Sequence, residues 1–198
     1  MLEQINASLD VIIQQTQANL EMLSIILLIP WTIYIISLFQ PRILLLGIIP
    51  RTIPGLTGIL FAPLLHGNFN HIFFNSIPLV VLSNFILING LTYFLMVTLL
   101  ITVSSGFLLW CFGKPGLHIG ASGLITGYWA LLVGDIVQQG TVTAIILGIL
   151  SAYYFAGIFF GIFPAKKGVS WEGHLFGLIS GFAVSYLSHY QSVLSTNF

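Results

Sequence analysis

Residues 120–137 read GASGLITGYWALLVGDIV. The stretch opens on four small residues, Gly120, Ala121, Ser122 and Gly123, and runs on to Val137 with Asp135 as its only charge. From Ser122 it is slightly short of the ~20 apolar residues that carry a helix across bilayer hydrocarbon. Working outward, five further stretches share its character: about Met22 to Phe39 with Pro30 inside it, His71 to Ile88, Leu91 to Phe112, Thr141 to Phe163, and Trp171 to Tyr190. Glycine and proline punctuate several connections, as in Pro41-Arg42, Gly113-Lys114-Pro115-Gly116 and Pro164-Ala165-Lys166-Lys167-Gly168.

Composition agrees with this pattern. Of 198 residues, 57% are hydrophobic and 5% are charged, where a soluble domain carries about 25% charged residues. So few charges cannot solvate a globular surface, and lipid is the solvent that fits. The expected fold is therefore all-α, a polytopic membrane protein with a bundle of six transmembrane helices. The expected partition is a polar or amphipathic segment at 1–21, a membrane domain at 22–190 and a short tail at 191–198. The first twenty residues lack the basic start and apolar core of a signal peptide. Leu2, Ile5, Leu9 and Ile12 recur at helical spacing there, which suits a short helix on the membrane surface; a frayed polar tail fits equally well.

Five basic and five acidic residues balance to zero, and no basic run offers a nucleic-acid surface. Cys111 is the only cysteine, which excludes an internal disulfide and a cysteine-based metal site. His66 and His71 are five apart with no acidic cluster beside them, a poor metal pattern. Neither a metal nor a cofactor is expected.

In a serpentine bundle the second, fourth and sixth spans run parallel, so their N-terminal ends share one side. His66, His71 and Asn75 open the second span, Ser122 the fourth, and Glu172 with His174 the sixth. Polar side chains inside a membrane are costly and mark function by default. Gly123 and Gly127 lie four apart, as do Gly173, Gly177 and Gly181, a spacing that lets two membrane helices approach closely. If these rows face each other, Ser122 and His174 come within hydrogen-bond reach, as nucleophile and base. Ser122 also opens a helix, where unpaired amides favour an anion. His71 and Asn75 share a helical face and are placed to donate to the same oxyanion. A lone serine at this position also reads as a helix N-cap, and Asn75 as a packing contact between helices. His66 reads as a brace at the entry to the second span, and His189 as an interfacial residue near the last helix end. No carboxylate is placed to complete a triad, since Glu172 points to another face and Asp135 lies at the far end of its span.

At these residues the sequence resembles the rhomboid intramembrane proteases. The likeness runs from about Gly55 to Tyr190. It rests on Gly120-Ala121-Ser122-Gly123, on His66-Gly67-Asn68-Phe69-Asn70-His71 followed by Asn75, and on Gly173-His174 followed by Gly177 and Gly181. The resemblance implies a six-helix bundle whose water-filled pocket opens to one membrane face. It also implies hydrolysis of transmembrane protein substrates near a helix-breaking site. By position Ser122 is the nucleophile, His174 the base, and His71, Asn75 and the Ser122 backbone the oxyanion hole. His66, Gly120, Gly123, Gly173 and Gly177 support them, and no cofactor is implied. Two departures stand out. The position one turn after the nucleophile, often aromatic in the family, is Thr126, so something else must orient the histidine. The Trp-Arg pair of the first loop is absent, with Arg51 the nearest arginine.

The alternative within the same fold is a non-catalytic relative that binds or escorts membrane proteins. A small transporter would call for an internal repeat, and the two halves show none. The expected location is a bacterial inner or cell membrane. All five basic residues, Arg42, Arg51, Lys114, Lys166 and Lys167, fall in odd-numbered connections. The positive-inside tendency would put those loops in the cytoplasm, whereas the resemblance puts the N-terminus there and the pocket outside.

Overall fold

The structure, a computed structural model, describes residues 1–163 and 170–195. Lys166 and Lys167, with the rest of the connection at 164–169, and the His189 side chain lie outside the described residues. The described residues form nine α-helices in chain order: α1 Leu2–Ala18, α2 Leu20–Phe39, α3 Ile53–Phe61, α4 Phe69–Leu87, α5 Leu91–Phe112, α6 Ser122–Gln138, α7 Val142–Tyr154, α8 Ala156–Phe159 and α9 Trp171–Ser195. Among the described residues there is no β-strand, only a bridge between Ile48 and His118. The all-α expectation holds.

Local chemistry starts these helices. Thr52 accepts from the Gly55 amide at α3, Asn68 from His71 at α4, and Thr141 from Ala144 at α7, each satisfying an amide that the first turn leaves unpaired. Among the described residues three helices, α2, α4 and α5, are long and apolar enough to cross a bilayer. The stretch expected as a fifth continuous span is broken: α7 ends at Tyr154 and the chain bends by 66° into α8 and a short 3-10 turn ending at Ile162. Taken as one span, this bent pair would be a fourth. Helix α3 was not expected, and α9 continues past Tyr190 to Ser195.

The N-terminal segment is a helix, not a frayed tail. Thr143 of α7 bonds Ser8 at 3.2 Å, and Asn84 of α4 donates to Thr16 at 2.8 Å, so α1 is seated on the bundle. Exposed Leu28, Leu38, Phe39, Leu99 and Phe107 project from the outer helices, surface that suits lipid rather than water.

Helix α6 is the centre. Ile125, Tyr128, Ala130, Leu131 and Leu132 are buried in the main apolar core. Its 17 residues rise ~25 Å at ~1.5 Å each, less than the ~30 Å hydrocarbon layer, a shortfall tolerable for a helix wrapped in protein. Near its far end Asp135 is buried; the Gln139 amide donates to Oδ2 at 2.7 Å and the Ser185 hydroxyl to Oδ1. This partnering is what a buried carboxyl group requires.

Helices α6 and α9 meet backbone to backbone. A Cβ added at Gly177 would strike the Gly123 carbonyl oxygen, and one at Gly181 the Gly127 carbonyl oxygen. From the other side, a Cβ at Gly123 would lie 3.1 Å from the Gly173 carbonyl oxygen. The two glycine rows therefore face each other, and no larger residue fits without separating the helices. Gly177→Val is expected to destabilise the fold by at least the ~1–3 kcal/mol typical of overpacking, seen as a lowered unfolding midpoint in detergent, whereas Gly157→Ala, at an open position, leaves the midpoint within error.

Candidate active site

Gly120 sets the entry to α6. Its φ of +117° lies in the region that favours glycine, and its amide donates to Ala62 at 2.8 Å. A side chain here would run into the His71 ring, and the Asn75 Nδ2 stands 3.7 Å from the same point. His71 and Asn75, one turn apart on α4, thus both lie against the backbone that leads into Ser122. Ala121 occupies the N-cap position and makes no side-chain cap bond. Ser122 is the first residue of the helix, so its hydroxyl is not committed as a cap, and the first-turn amides remain unpaired. Thr126 is buried and donates from Oγ1 to the Ser122 carbonyl at 2.8 Å. Ser122 is half-buried and borders a cavity that Thr102, Ser105, His118 and Ser170 also line.

His174 sits in the first turn of α9, one residue past Gly173, whose carbonyl group faces Gly123. Its Nδ1 lies 2.8 Å from the carbonyl oxygen of Gly161. A carbonyl only accepts, so Nδ1 carries the proton and Nε2 presents a lone pair. Gly161 also makes room for the ring, since a Cβ there would collide with Nδ1. This carbonyl, delivered by the bend after Tyr154, orients the histidine where Thr126 offers no aromatic ring. Among the described residues no hydrogen bond joins the Ser122 hydroxyl to His174. Such bonds are often long before substrate arrives.

His66, in the connection before α4, is 1% exposed. Its Nε2 accepts from the Asn75 amide at 3.2 Å, with the Ala121 amide farther off at 3.5 Å. The ring therefore fixes the Asn75 side chain, with one amide hydrogen spent on His66 and the second without a partner among the described residues. Burial, then the adjacent His71 ring, pushes the His66 pKa down from 6.5 to about 4. It stays neutral, as the bond from Asn75 demands.

Three further residues hold the site's surroundings. The Arg51 guanidinium donates to the carbonyls of Cys111 and Gly113 at 3.2 and 2.8 Å. It covers the C-terminal end of α5, where a cation is favoured. Trp110 completes the brace, donating to the Thr52 carbonyl at 2.8 Å. His118 bonds Ser170 and the Lys114 carbonyl. Gly161 and Ser170 were not singled out in the sequence, because a carbonyl contact or a cap joined to a distant loop leaves no residue pattern.

Comparison with known proteins identifies a family. Residues 54–191 match the family model described as Rhomboid domain. An uncharacterized protein of Mycobacterium bovis is 40% identical over 152 residues, covering 71% of this chain and 62% of the relative. An uncharacterized protein of Mycobacterium tuberculosis matches equally. One of Mycobacterium leprae is 40% identical over 143 residues, covering 67% of this chain and 56% of the relative. The matched region thus spans rather more than half the length of these curated relatives.

The His66 pKa gives a testable sign. Its folded value lies below the unfolded 6.5, so between 6.5 and about 4 the unfolded chain binds a proton that the folded chain refuses. Stability is expected to fall as pH drops through that window. His66→Gln, which keeps an acceptor for Asn75 but does not titrate, should flatten this dependence when unfolding midpoints are compared at pH 7 and pH 4.5.

Proposed function

The chain belongs to the rhomboid family, and from that premise we propose that it is an intramembrane serine endopeptidase in which Ser122 and His174 form the catalytic dyad. The observation that carries this reading is the Nδ1 bond from His174 to Gly161. It leaves Nε2 as the ring's basic atom, beside the crossing where Gly123 and Gly173 meet. In the proposed reaction the Ser122 hydroxyl attacks a substrate carbonyl while Nε2 takes its proton. The resulting imidazolium is stabilised through Nδ1 by the Gly161 carbonyl, in the position a carboxylate holds in a triad. His174 then passes the proton to the leaving amine, and water hydrolyses the acyl-enzyme by the same route.

The oxyanion formed in each step needs preorganised donors. In this reading the donors are the Ser122 amide at the helix start, the second hydrogen of Asn75 Nδ2 and the His71 ring, supported by the closeness of His71 and Asn75 to Gly120, two residues before Ser122. Gly120 keeps that space open, and His66 holds Asn75. The substrates under this reading are transmembrane segments of other membrane proteins, entering a six-span domain in a bacterial cell membrane.

Orientation follows the family in this proposal, with the N-terminus in the cytoplasm and the pocket facing out. The basic residues of the odd connections do not vote freely against it. Arg51 is committed to α5 carbonyls, and Lys114 lies 3.6 Å from Glu172.

Ser122→Ala and His174→Ala are each expected to abolish cleavage of a transmembrane substrate while the protein still purifies as a helical bundle. The double variant should be no worse than either single one, because the two act as a unit. His71→Ala and Asn75→Ala should retain activity with turnover reduced by up to the ~10²–10³-fold cost of one oxyanion donor. Labelling by a serine-directed fluorophosphonate checks the nucleophile, and wild-type protein left unlabelled at Ser122 would sink the reading. For orientation, single cysteines replace Pro115 or Gln139 in a Cys111→Ser background. An impermeant thiol reagent on intact cells is expected to label position 115 and not 139; the reverse pattern puts the pocket on the cytoplasmic face.

A further inference from the structure

We propose that His118 is a positioning residue that latches the segment leading into Ser122 to the first turn of the helix carrying His174. The proposal rests on the serine-protease reading for its kinetic consequence, while the latch itself is a matter of geometry.

His118 stands four residues before Ser122, and Ser170 four before His174. Between them runs one hydrogen-bond chain. The His118 Nε2 lies 2.9 Å from the Lys114 carbonyl oxygen, which only accepts, so Nε2 carries the proton. Nδ1 is then an acceptor, and the Ser170 hydroxyl donates to it at 2.8 Å. The same hydroxyl oxygen accepts from the Gly173 amide at 3.2 Å. Every donor in the chain has one acceptor, so Ser170 caps α9 and grips the loop with a single atom. The loop is anchored in turn, because His118 exchanges both backbone bonds with Ile48, at 2.8 and 3.0 Å.

The need for such a latch follows from the crossing of α6 and α9. Facing glycines let the backbones touch, but they offer few side-chain knobs to fix sliding or rotation of one helix on the other. A directional bond just beyond the crossing, at its catalytic end, supplies that constraint. The neighbouring link joins the same two segments: Lys114 approaches Glu172 and lies 5.3 Å from the centroid of the Trp171 ring. With Lys114 largely exposed at 70%, that ion pair contributes little. The half-buried end of the connection, His118 to Ser170, is the one that sets position.

The test compares variants of the full chain in detergent by fluorophosphonate labelling rate at Ser122 and by kcat and KM on a transmembrane substrate. His118→Gln carries an amide where Nε2 was and loses the Ser170 bond; Ser170→Ala loses it from the other side. Each is expected to lower labelling and kcat on the order of tenfold to a hundredfold, the range of a small misplacement at a reacting centre, with KM little changed. Their losses should not multiply in the double variant. His118→Asn, whose amide falls where Nδ1 was, should recover most of the rate. Equal losses in the Asn and Gln variants, or losses that multiply, would overturn the latch while labelled wild-type protein keeps the protease reading intact. A second measurement does not depend on activity. In the ring nitrogen NMR spectrum His118 should appear as the Nε2–H tautomer, with an Nδ1 resonance that moves in Ser170→Ala. A resonance that stays put overturns the latch whether or not Ser122 is reactive.

Discussion

The contact of two backbones across facing glycines is the constraint on which the rest depends. Helices in lipid gain little from burying apolar side chains against each other, since the tails outside are equally apolar. What distinguishes the α6–α9 pair is that Gly123, Gly127, Gly177 and Gly181 let carbonyl groups of one helix reach the Cα atoms of the other. That approach places the first turns of both helices side by side, with Ser122 on one and His174 on the other. It also accounts for the burial of α6, whose short length is tolerable because other helices rather than lipid enclose most of it.

Polar groups are divided between the two ends of this central pair according to how they are satisfied. At the far end, Asp135 accepts from Gln139 and Ser185, and Asn84 ties α4 to α1 through Thr16. At the near end, satisfaction is left deliberately incomplete. Asn75 spends one amide hydrogen on His66, and His174 spends one ring nitrogen on Gly161. The unspent partners are the second amide hydrogen and the second ring nitrogen, along with the unpaired amides at the start of α6. The far end is held together by closed hydrogen-bond sets, and the near end keeps open ones around the start of α6, where Ser122 borders a cavity.

Much of this was legible in the residues. The apolar stretches located α2, α4 and α5, and the glycine spacing foretold that α6 and α9 would meet. Asn75 and His66 read as neighbours of the same helix entry. What escaped the sequence was backbone chemistry and short structure. Helix α3, with 9 residues, is too short to register as a span. The break after Tyr154 sits in a run from Thr141 to Phe163 with no proline and no charge to mark it. The partner of His174 is a carbonyl, a group every residue has, so no residue type advertises it. Arg51 read only as the nearest arginine to a missing pair, because its partners are the carbonyls of Cys111 and Gly113 across 60 and 62 positions of chain.

The Gly161 carbonyl has a consequence for how this site responds to genetic change. A side chain that holds a histidine's tautomer can be deleted by one codon, and its loss is visible in a comparison of sequences. A main-chain oxygen survives every substitution at its own position, so the proposed base keeps its tautomer partner so long as the bend that delivers it persists. Vulnerability shifts from the identity of residue 161 to the space around it, because any side chain there meets the imidazole. A drifted copy of this protein with the tautomer lost would thus show it not as a missing acid but as bulk gained at a glycine, or as a helix straightened where this one turns.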